Sequence, residues 1–340
     1  MKRWYFWVGL LISGIFLYLG LRGLHLTQVW DTIRSANFLF LLPAVLVYFI
    51  AVLARTWRWH FLLRPIQKIP VRLLFPVITI GYMGNNIYPA RAGELVRAFI
   101  LKRKRDVPVS STLATIIIER LFDGVVMLSF IFFNLGELAK LAAPSGFVGS
   151  IRSLALWGTI AFFGFLILFL LTAIFTSEAE RIFGSVIRII LPQRWRDPII
   201  HIFSRFTTGL KSLRSLNDVI MVLLTSFMIW LLETMVYWLV SLSFAIEIGV
   251  FPLMLMNGIL NLLTTLPSAP GYIGTFDAPG IALLRAYGYS ATLAAGFTLL
   301  LHATLWLPIT VVGAAFFAKE GINWTQALES GKDAKETDGK

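Results

Sequence analysis

Gly81–Arg97 reads GYMGNNIYPARAGELVR, and Leu266–Asp277 reads LPSAPGYIGTFD. Both place glycine, proline and polar residues inside otherwise apolar sequence. Hydrocarbon cannot satisfy irregular backbone, so a broken helix survives at membrane depth only where protein covers it or water reaches it. Interrupted segments at matching places in two halves of a chain point to a transporter-like site. These two stretches decide the expected architecture.

Composition sets the class around them. Of 340 residues, 57% are hydrophobic and 14% are charged, and the mean hydropathy is +0.78. A soluble domain carries about 25% charged residues, so the chain reads as a polytopic membrane protein. With Cys 0, disulfides and thiolate metal sites are excluded. The amino terminus, Met-Lys-Arg before apolar Trp4–Leu21, has the charged start of a signal sequence. It lacks a small-residue cleavage site and therefore reads as a retained first helix. A net charge of +12 raises the question of nucleic acid, but the placement of the charge answers it.

Spanning a bilayer takes roughly 20 apolar residues. Stretches that meet this lie at about 4–21, 38–54, 111–134, 152–175, 218–245 and 290–317. Between them lie hairpin-like segments at about 72–101 and 250–288, too interrupted for one span and too apolar for a loop. The excess of Lys and Arg in cytoplasmic loops sets orientation. With a cytoplasmic amino terminus and two re-entrant hairpins, 22 of the 30 basic residues fall on the cytoplasmic side. Arg22, Arg34, Lys140, Arg152 and Arg285 fall outside, and Arg91, Arg97 and Arg120 lie at membrane depth. Making either hairpin a full crossing would move the downstream basic loops to the wrong side.

The order helix, hairpin, helix then occurs twice, entered from opposite sides, which is the pattern of an inverted-topology repeat. A shared spacing, Pro89-x-x-x-Gly93 and Pro267-x-x-x-Gly271, echoes it locally. The expected fold is an all-α membrane bundle of about six full spans plus two re-entrant hairpins. One transmembrane domain covers 1–318, with a basic, mostly amphipathic cytoplasmic segment at 176–217. The polar tail at 319–340 is expected to be cytoplasmic and partly disordered.

The chemistry gathers in the first hairpin and the helix after it. Pro89 and Gly93 interrupt the helical ladder near Asn85 and Asn86. Arg91, Glu94 and Arg97 follow at spacings of three, on one face of a returning helix. The start of that helix carries unpaired N–H groups and partial positive charge, which suits an anion. Downstream, Glu119, Arg120 and Asp123 sit inside an apolar helix.

A charge at mid-bilayer costs about 2.5–3.5 kcal/mol on insertion scales, so pairing of Arg91 with Glu94 and of Arg120 with Asp123 is expected in any case. For Glu119 and Asp123, structural pairing and a functional role stand as alternatives. For Arg91, Arg97 and Arg120, binding of an anionic headgroup is the expectation, and Asn85, Asn86, Glu94, Glu119 and Asp123 are counted with them as candidate substrate-binding residues. Asn85 and Asn86 read as caps or cross-links of broken backbone. Pro267, Pro270, Gly271 and Gly274 read as hairpin-forming, and Asp277 as either a functional carboxylate or a helix-start residue. Glu233 and His302, lone polar residues on apolar helices, read as packing hydrogen bonds. Arg55 and Arg58, flanked by Trp57 and Trp59, read as an interfacial anchor to lipid phosphates.

Three motifs carry a resemblance. The run Asn85-Asn86-x-x-Pro89-x-Arg91-x-Gly93-Glu94-x-x-Arg97, then Glu119-Arg120-x-x-Asp123, then Leu266-Pro-x-x-Pro-Gly-x-x-Gly274 resemble the lysylphosphatidylglycerol synthase transmembrane region, also called the flippase-like domain or UPF0104 group. The resemblance covers about residues 5–318. It implies the lipid-translocating half of a bifunctional synthase, without the cytoplasmic acyltransferase domain and its tRNA-dependent synthesis. The full synthases carry more membrane helices, so substrate identity does not transfer.

The expected function is a lipid translocase, not an enzyme, with no cofactor and no metal. Its partners would be membrane lipids with anionic headgroups, with a homo-oligomer or a membrane enzyme as further possibilities, and no nucleic acid. No Gly-x-x-x-x-Gly-Lys-Ser/Thr loop occurs, so ATP hydrolysis by this chain is excluded. The competing readings are an intramembrane transferase on lipid-linked substrates and a non-catalytic membrane subunit. The first would call for paired carboxylates in a loop; the second, for a stable partner on purification.

Overall fold

The computed structural model describes residues 3–88, 91–137, 175–190, 216–266 and 268–320, with single positions between 160 and 213. Among the described residues all regular structure is helical. Most of the expected helix at 152–175, the hairpin prolines Pro89 and Pro267, most of the basic segment after 190 and the tail beyond 320 lie outside them.

Helix α1 (Arg3–Leu21) turns at Gly23, whose φ of +79° suits glycine, into the short α2 (Leu26–Arg34). The two axes differ by 80°. Only α1 is expected from hydropathy. The α2 sequence, LTQVWDTIR, is amphipathic rather than apolar, and it lies against the last helix, where Gly296 meets Thr32.

Helix α3 (Leu41–Leu63) runs nine residues past its expected end. Its apolar residues Leu42, Leu46, Ile50 and Leu53 form an exposed stripe, while Ala44, Tyr48, Ala51 and Val52 are buried. A stripe of bare leucine and isoleucine on a long helix is a lipid-facing surface. The extension carries a correction. Arg55 and Arg58 are not an anchor at the lipid phosphates: both are buried, against Glu233 and Asp123. Paired inside the bundle, they do not end the helix, and removing them from the cytoplasmic tally leaves 20 basic residues there.

Helices α4 (Val71–Ile87) and α5 (Ala92–Arg105) form the first hairpin. Gly81 and Gly93 let the two backbones meet, since a Cβ on Gly93 would lie 1.8 Å from the Gly81 carbonyl oxygen. Arg91, just before α5, has φ 52° and ψ 38°, a left-handed conformation that costs a side-chain-bearing residue about 1–3 kcal/mol. At the far end of α5 the Lys102 ammonium bonds the exposed Asp106 carboxylate and holds its pKa below the ordinary value.

Helix α6 (Val109–Phe133) follows, then the amphipathic α7 (Thr176–Ile190) and the long α8 (Leu216–Ser243). The second interrupted stretch is α9 (Val250–Leu263), a 3-10 turn at Pro270–Tyr272 and α10 (Asp277–Ala286). Gly271 and Gly274 hold φ of +69° and +86° in that turn. The turn rests on α1, where Ser13 Oγ accepts from the Ala269 N–H at 2.7 Å. Helix α11 (Ala291–Lys319) completes the order.

Helix α3 packs along α8, α4 along α11, and α6 along α9. Small residues permit the close crossings: Gly258 of α9 faces the Met127 carbonyl of α6, and Gly313 of α11 faces the Thr79 carbonyl of α4. Segments 38–63, 217–243 and 291–319 are long and apolar enough to cross a membrane, and the bent α1–α2 pair makes a fourth candidate. Helix α6, at 25 residues, has the length but carries Glu119, Arg120 and Asp123.

Candidate functional site

Burial makes the charge pairs predictable from physics. A desolvated ion is tolerated when a partner and hydrogen bonds replace its water. Asp123 of α6 accepts from Arg58 Nη1 at 2.7 Å and from Trp230 Nε1 at 2.9 Å, and meets Arg120 Nη2 at 3.2 Å. Arg58 also donates to Ser226 Oγ at 2.6 Å. Arg97 donates to Glu119 at 3.0 Å, with its guanidinium 4.1 Å from the centre of the Trp59 ring. Arg55 pairs with Glu233 and lies 5.1 Å from the Trp230 ring centre. These pairs tie α3 to α6 and α8, and α5 to α6.

In front of them lies a cavity of about 120 Å³, space for several waters. It opens where the two hairpin turns meet. Helix α4 contributes Tyr82, Asn85 and Asn86, the first turn Arg91, and α6 Arg120. From the other half come Glu233, Asn261, Thr264, Gly271 and Tyr272. Tyr48 and Arg55 of α3 and His302 and Trp306 of α11 close the sides.

Arg91 joins the two halves. Its Nη2 donates to the Thr264 carbonyl at 3.3 Å, and its guanidinium lies 5.7 Å from the Tyr272 ring centre. Glu94 Oε1 sits 3.7 Å from both Arg91 Nη1 and Arg120 Nε, a bridge longer than a hydrogen bond. Asn86 donates to the Trp306 carbonyl at 3.2 Å and to Thr310 Oγ1 at 2.7 Å, which cross-links the first hairpin to α11. In the second half, His302 Nδ1 faces Asp277 Oδ1 at 2.7 Å and Nε2 faces the Gly271 carbonyl at 2.8 Å. Asp277 Oδ2 accepts from the Gly274 N–H at 2.9 Å, so this carboxylate both opens α10 and fixes the turn.

The residues singled out in the sequence thus divide. Asn85, Asn86, Arg91, Arg120 and Gly271 line the cavity, and Glu94 bridges two of its arginines. Arg97, Glu119 and Asp123 lie behind it in buried pairs. Gly93 sits in the α4–α5 contact, and Pro270 starts the turn that carries Gly271. Arg55, Glu233, Asn261, Tyr48, Tyr82 and Trp306 are the lining that sequence reading missed. One signal for it exists. Asn257 and Asn261 stand one helical turn apart on the otherwise apolar α9, and Glu233 is an isolated acid on α8.

The profile of a known family, the lysylphosphatidylglycerol synthase TM region, matches residues 6–313. This chain belongs to that family. Three curated proteins it resembles share about a quarter of its sequence. A UPF0104 membrane protein of Methanothermobacter thermautotrophicus is 26% identical over 330 residues, 93% of each chain. A UPF0104 membrane protein of Methanocaldococcus jannaschii is 27% identical over 236 residues, 68% of this chain and 92% of that one. A protein named glycosyltransferase AglD, from Haloferax volcanii, is 24% identical over 361 residues, 96% of this chain and 56% of that protein. No solved structure matches the chain.

Proposed function

We propose that this chain is an integral membrane lipid translocase, flippase- or scramblase-like. Its cargo would be an anionic or aminoacylated phospholipid, or a polyprenyl-phosphate lipid, moved between leaflets. The observation that carries the reading is the polar, arginine-bearing cavity at the junction of two short helical hairpins in an otherwise apolar bundle. A headgroup crossing bare hydrocarbon loses its hydrogen bonds, which costs several kcal/mol per group. Fixed guanidinium, amide and indole groups at mid-depth replace part of that lost solvation while the acyl chains stay in lipid.

The membrane arrangement that serves this function has both hairpins re-entrant. At about 1.5 Å per residue, α5 and α9 are each about 21 Å long and α10 about 15 Å, short of a hydrocarbon core of about 30 Å. An inverted repeat has support in the packing. Exchanging α3, α4, α5 and α6 for α8, α9, α10 and α11 turns the α4–α11 contact into α9–α6, and α5–α6 into α10–α11. The same exchange turns α3–α4 into α8–α9 and leaves α3–α8 in place. The bias of Lys and Arg favours both termini in the cytoplasm, in a cell membrane.

An intramembrane transferase acting on lipid-linked substrates is the second reading, favoured by the name of the AglD relative. The state of the carboxylates weighs against it: Glu119, Asp123 and Glu233 each carry an arginine, and among the described residues no three His, Asp or Glu side chains group to hold a metal. Proteoliposomes carrying a reporter lipid in one leaflet test the proposal. The wild-type chain is expected to expose the lipid to a membrane-impermeant quencher faster than empty vesicles do, and Arg91→Ala to fall toward the empty-vesicle rate. Wild-type rates equal to those of empty vesicles would end the translocase reading.

A further inference from the structure

We infer that α7 lies flat in the headgroup layer of the bilayer that holds this chain, with an apolar stripe on the acyl chains and Arg181 and Arg188 at lipid phosphates. The inference uses none of the residues that line the cavity and does not rest on the translocase reading. Its starting point is the sequence of α7, TSEAERIFGSVIRII. Ile182, Val186 and Ile189, at spacings of four and three, stack into one stripe along the helix. Arg181 and Arg188, seven residues apart, form a second line. Each arginine directly precedes an isoleucine of the stripe, so about 100° separates the two lines.

The structure leaves the stripe bare. Ile182, Val186 and Ile189 are 64%, 42% and 84% exposed. The rest of the helix surface is occupied differently. Phe183 stacks on Phe203, with ring centres 3.8 Å apart, and Glu180 accepts from the Thr207 hydroxyl. These contacts hold one side of α7 to the chain and turn the stripe away from it. Three aliphatic side chains in a row facing water would forgo the stabilisation that burial gives. The helix does not bury them by crossing the membrane. Its 15 residues reach about 22 Å, short of a hydrocarbon core of about 30 Å, and include Glu178, Glu180, Arg181 and Arg188.

Position and charge name the cover as lipid. Helix α7 starts at the residue after Phe175, and the Ala179 N–H bonds the Phe175 carbonyl at 2.9 Å. Leu168, Leu171 and Phe175, at the end of the apolar stretch 152–175, are exposed as well. The stripe therefore begins where a membrane-spanning sequence ends, within reach of the headgroups. Segment 176–217 holds seven Lys or Arg residues against Glu178, Glu180 and Asp197. Among the described residues neither Arg181 nor Arg188 meets a carboxylate, and Arg188 Nε donates to the Gly184 carbonyl of its own helix at 3.0 Å. An apolar stripe edged by free guanidinium groups is complementary to hydrocarbon under anionic phosphates. The arginine stems lie along the apolar surface while their heads reach the phosphates.

The chain has no cysteine, so Ile182→Cys, Val186→Cys and Ile189→Cys can each carry a single nitroxide in the full-length protein. Leu46→Cys, in the exposed apolar stripe of α3, gives the hydrocarbon reference, and Asp106→Cys, just after α5, gives the water reference. The proteins are placed in vesicles of phosphatidylcholine mixed with phosphatidylglycerol. Relaxation of the label by oxygen reports hydrocarbon, and relaxation by a water-soluble nickel chelate reports water. The three stripe labels are expected to meet nickel several-fold less than Asp106 and to approach Leu46 in contact with oxygen. Their nickel signal should rise in phosphatidylcholine alone, and in the mixed vesicles when Arg181→Gln and Arg188→Gln are combined. Stripe labels as open to nickel as Asp106 would leave the stripe in water, free for a soluble partner. Labels shielded from both probes would put it against protein, and either result overturns the inference. A depth unchanged by phosphatidylglycerol and by the double variant would overturn the role given to the arginines. None of these readings depends on whether the chain moves lipid.

Discussion

Arg58 and Arg91 carry the same side chain and do different work. Arg58 is 1% exposed and held by Asp123 and Ser226, which stand in for the water it has lost. Asp123→Ala would strand it, and breaking such a pair is expected to cost about 3–5 kcal/mol. A large drop in the thermal midpoint of the detergent-solubilised protein is the expected reading. Arg91 is partly open to the cavity, and its pairing is weak. Arg91→Gln should change the same midpoint little, within about 1 kcal/mol, while it removes transport. A variant that unfolds with Asp123→Ala severity would place Arg91 among the structural ions instead.

At the scale of elements, the hairpins depend on close backbone approach. Gly93→Ala pushes a methyl against the Gly81 carbonyl and the Asn85 side chain and is expected to separate α4 from α5. Gly14→Ala is the control, since a Cβ there meets nothing within 4 Å. Thermal unfolding and the yield of monodisperse protein should fall for the first and hold for the second. The hairpins were legible because glycine and proline leave a local mark, and α6, α8 and α11 were legible because long apolar runs do. The α3 extension was not. Arg55 finds Glu233 178 positions away, and no periodicity in a sequence reports a partner at that separation. Without the partner, two arginines beside two tryptophans have the look of an interface. Helix α2 was hidden for another reason: nine residues of mixed polarity give too weak a pattern to stand apart from a loop.

For the whole molecule, the decisive question is which ends face which compartment. The absence of cysteine makes the chain its own background for site-directed labelling. Single cysteines at the exposed Arg72 and Arg103, at the two ends of the first hairpin, are expected to react with an impermeant maleimide from the cytoplasmic side. Cysteines at Val250 and Arg285, at the ends of the second, should react from the opposite side. Opposite-side labelling within either pair would make that hairpin a full crossing and remove the inverted repeat. The charge count bears on this result directly, because the expected topology still puts 20 basic residues on the cytoplasmic side once Arg55 and Arg58 are assigned to the interior.

The buried arginines of α3 also constrain biosynthesis. Each charge entering the bilayer alone costs about 2.5–3.5 kcal/mol. Glu233 is translated 178 positions after Arg55, and Asp123 65 positions after Arg58. The carboxy-terminal half of α3 is therefore expected to settle at its final depth only once α6 and α8 supply these partners. A nascent chain halted before Glu233 would leave Arg55 without its counter-ion.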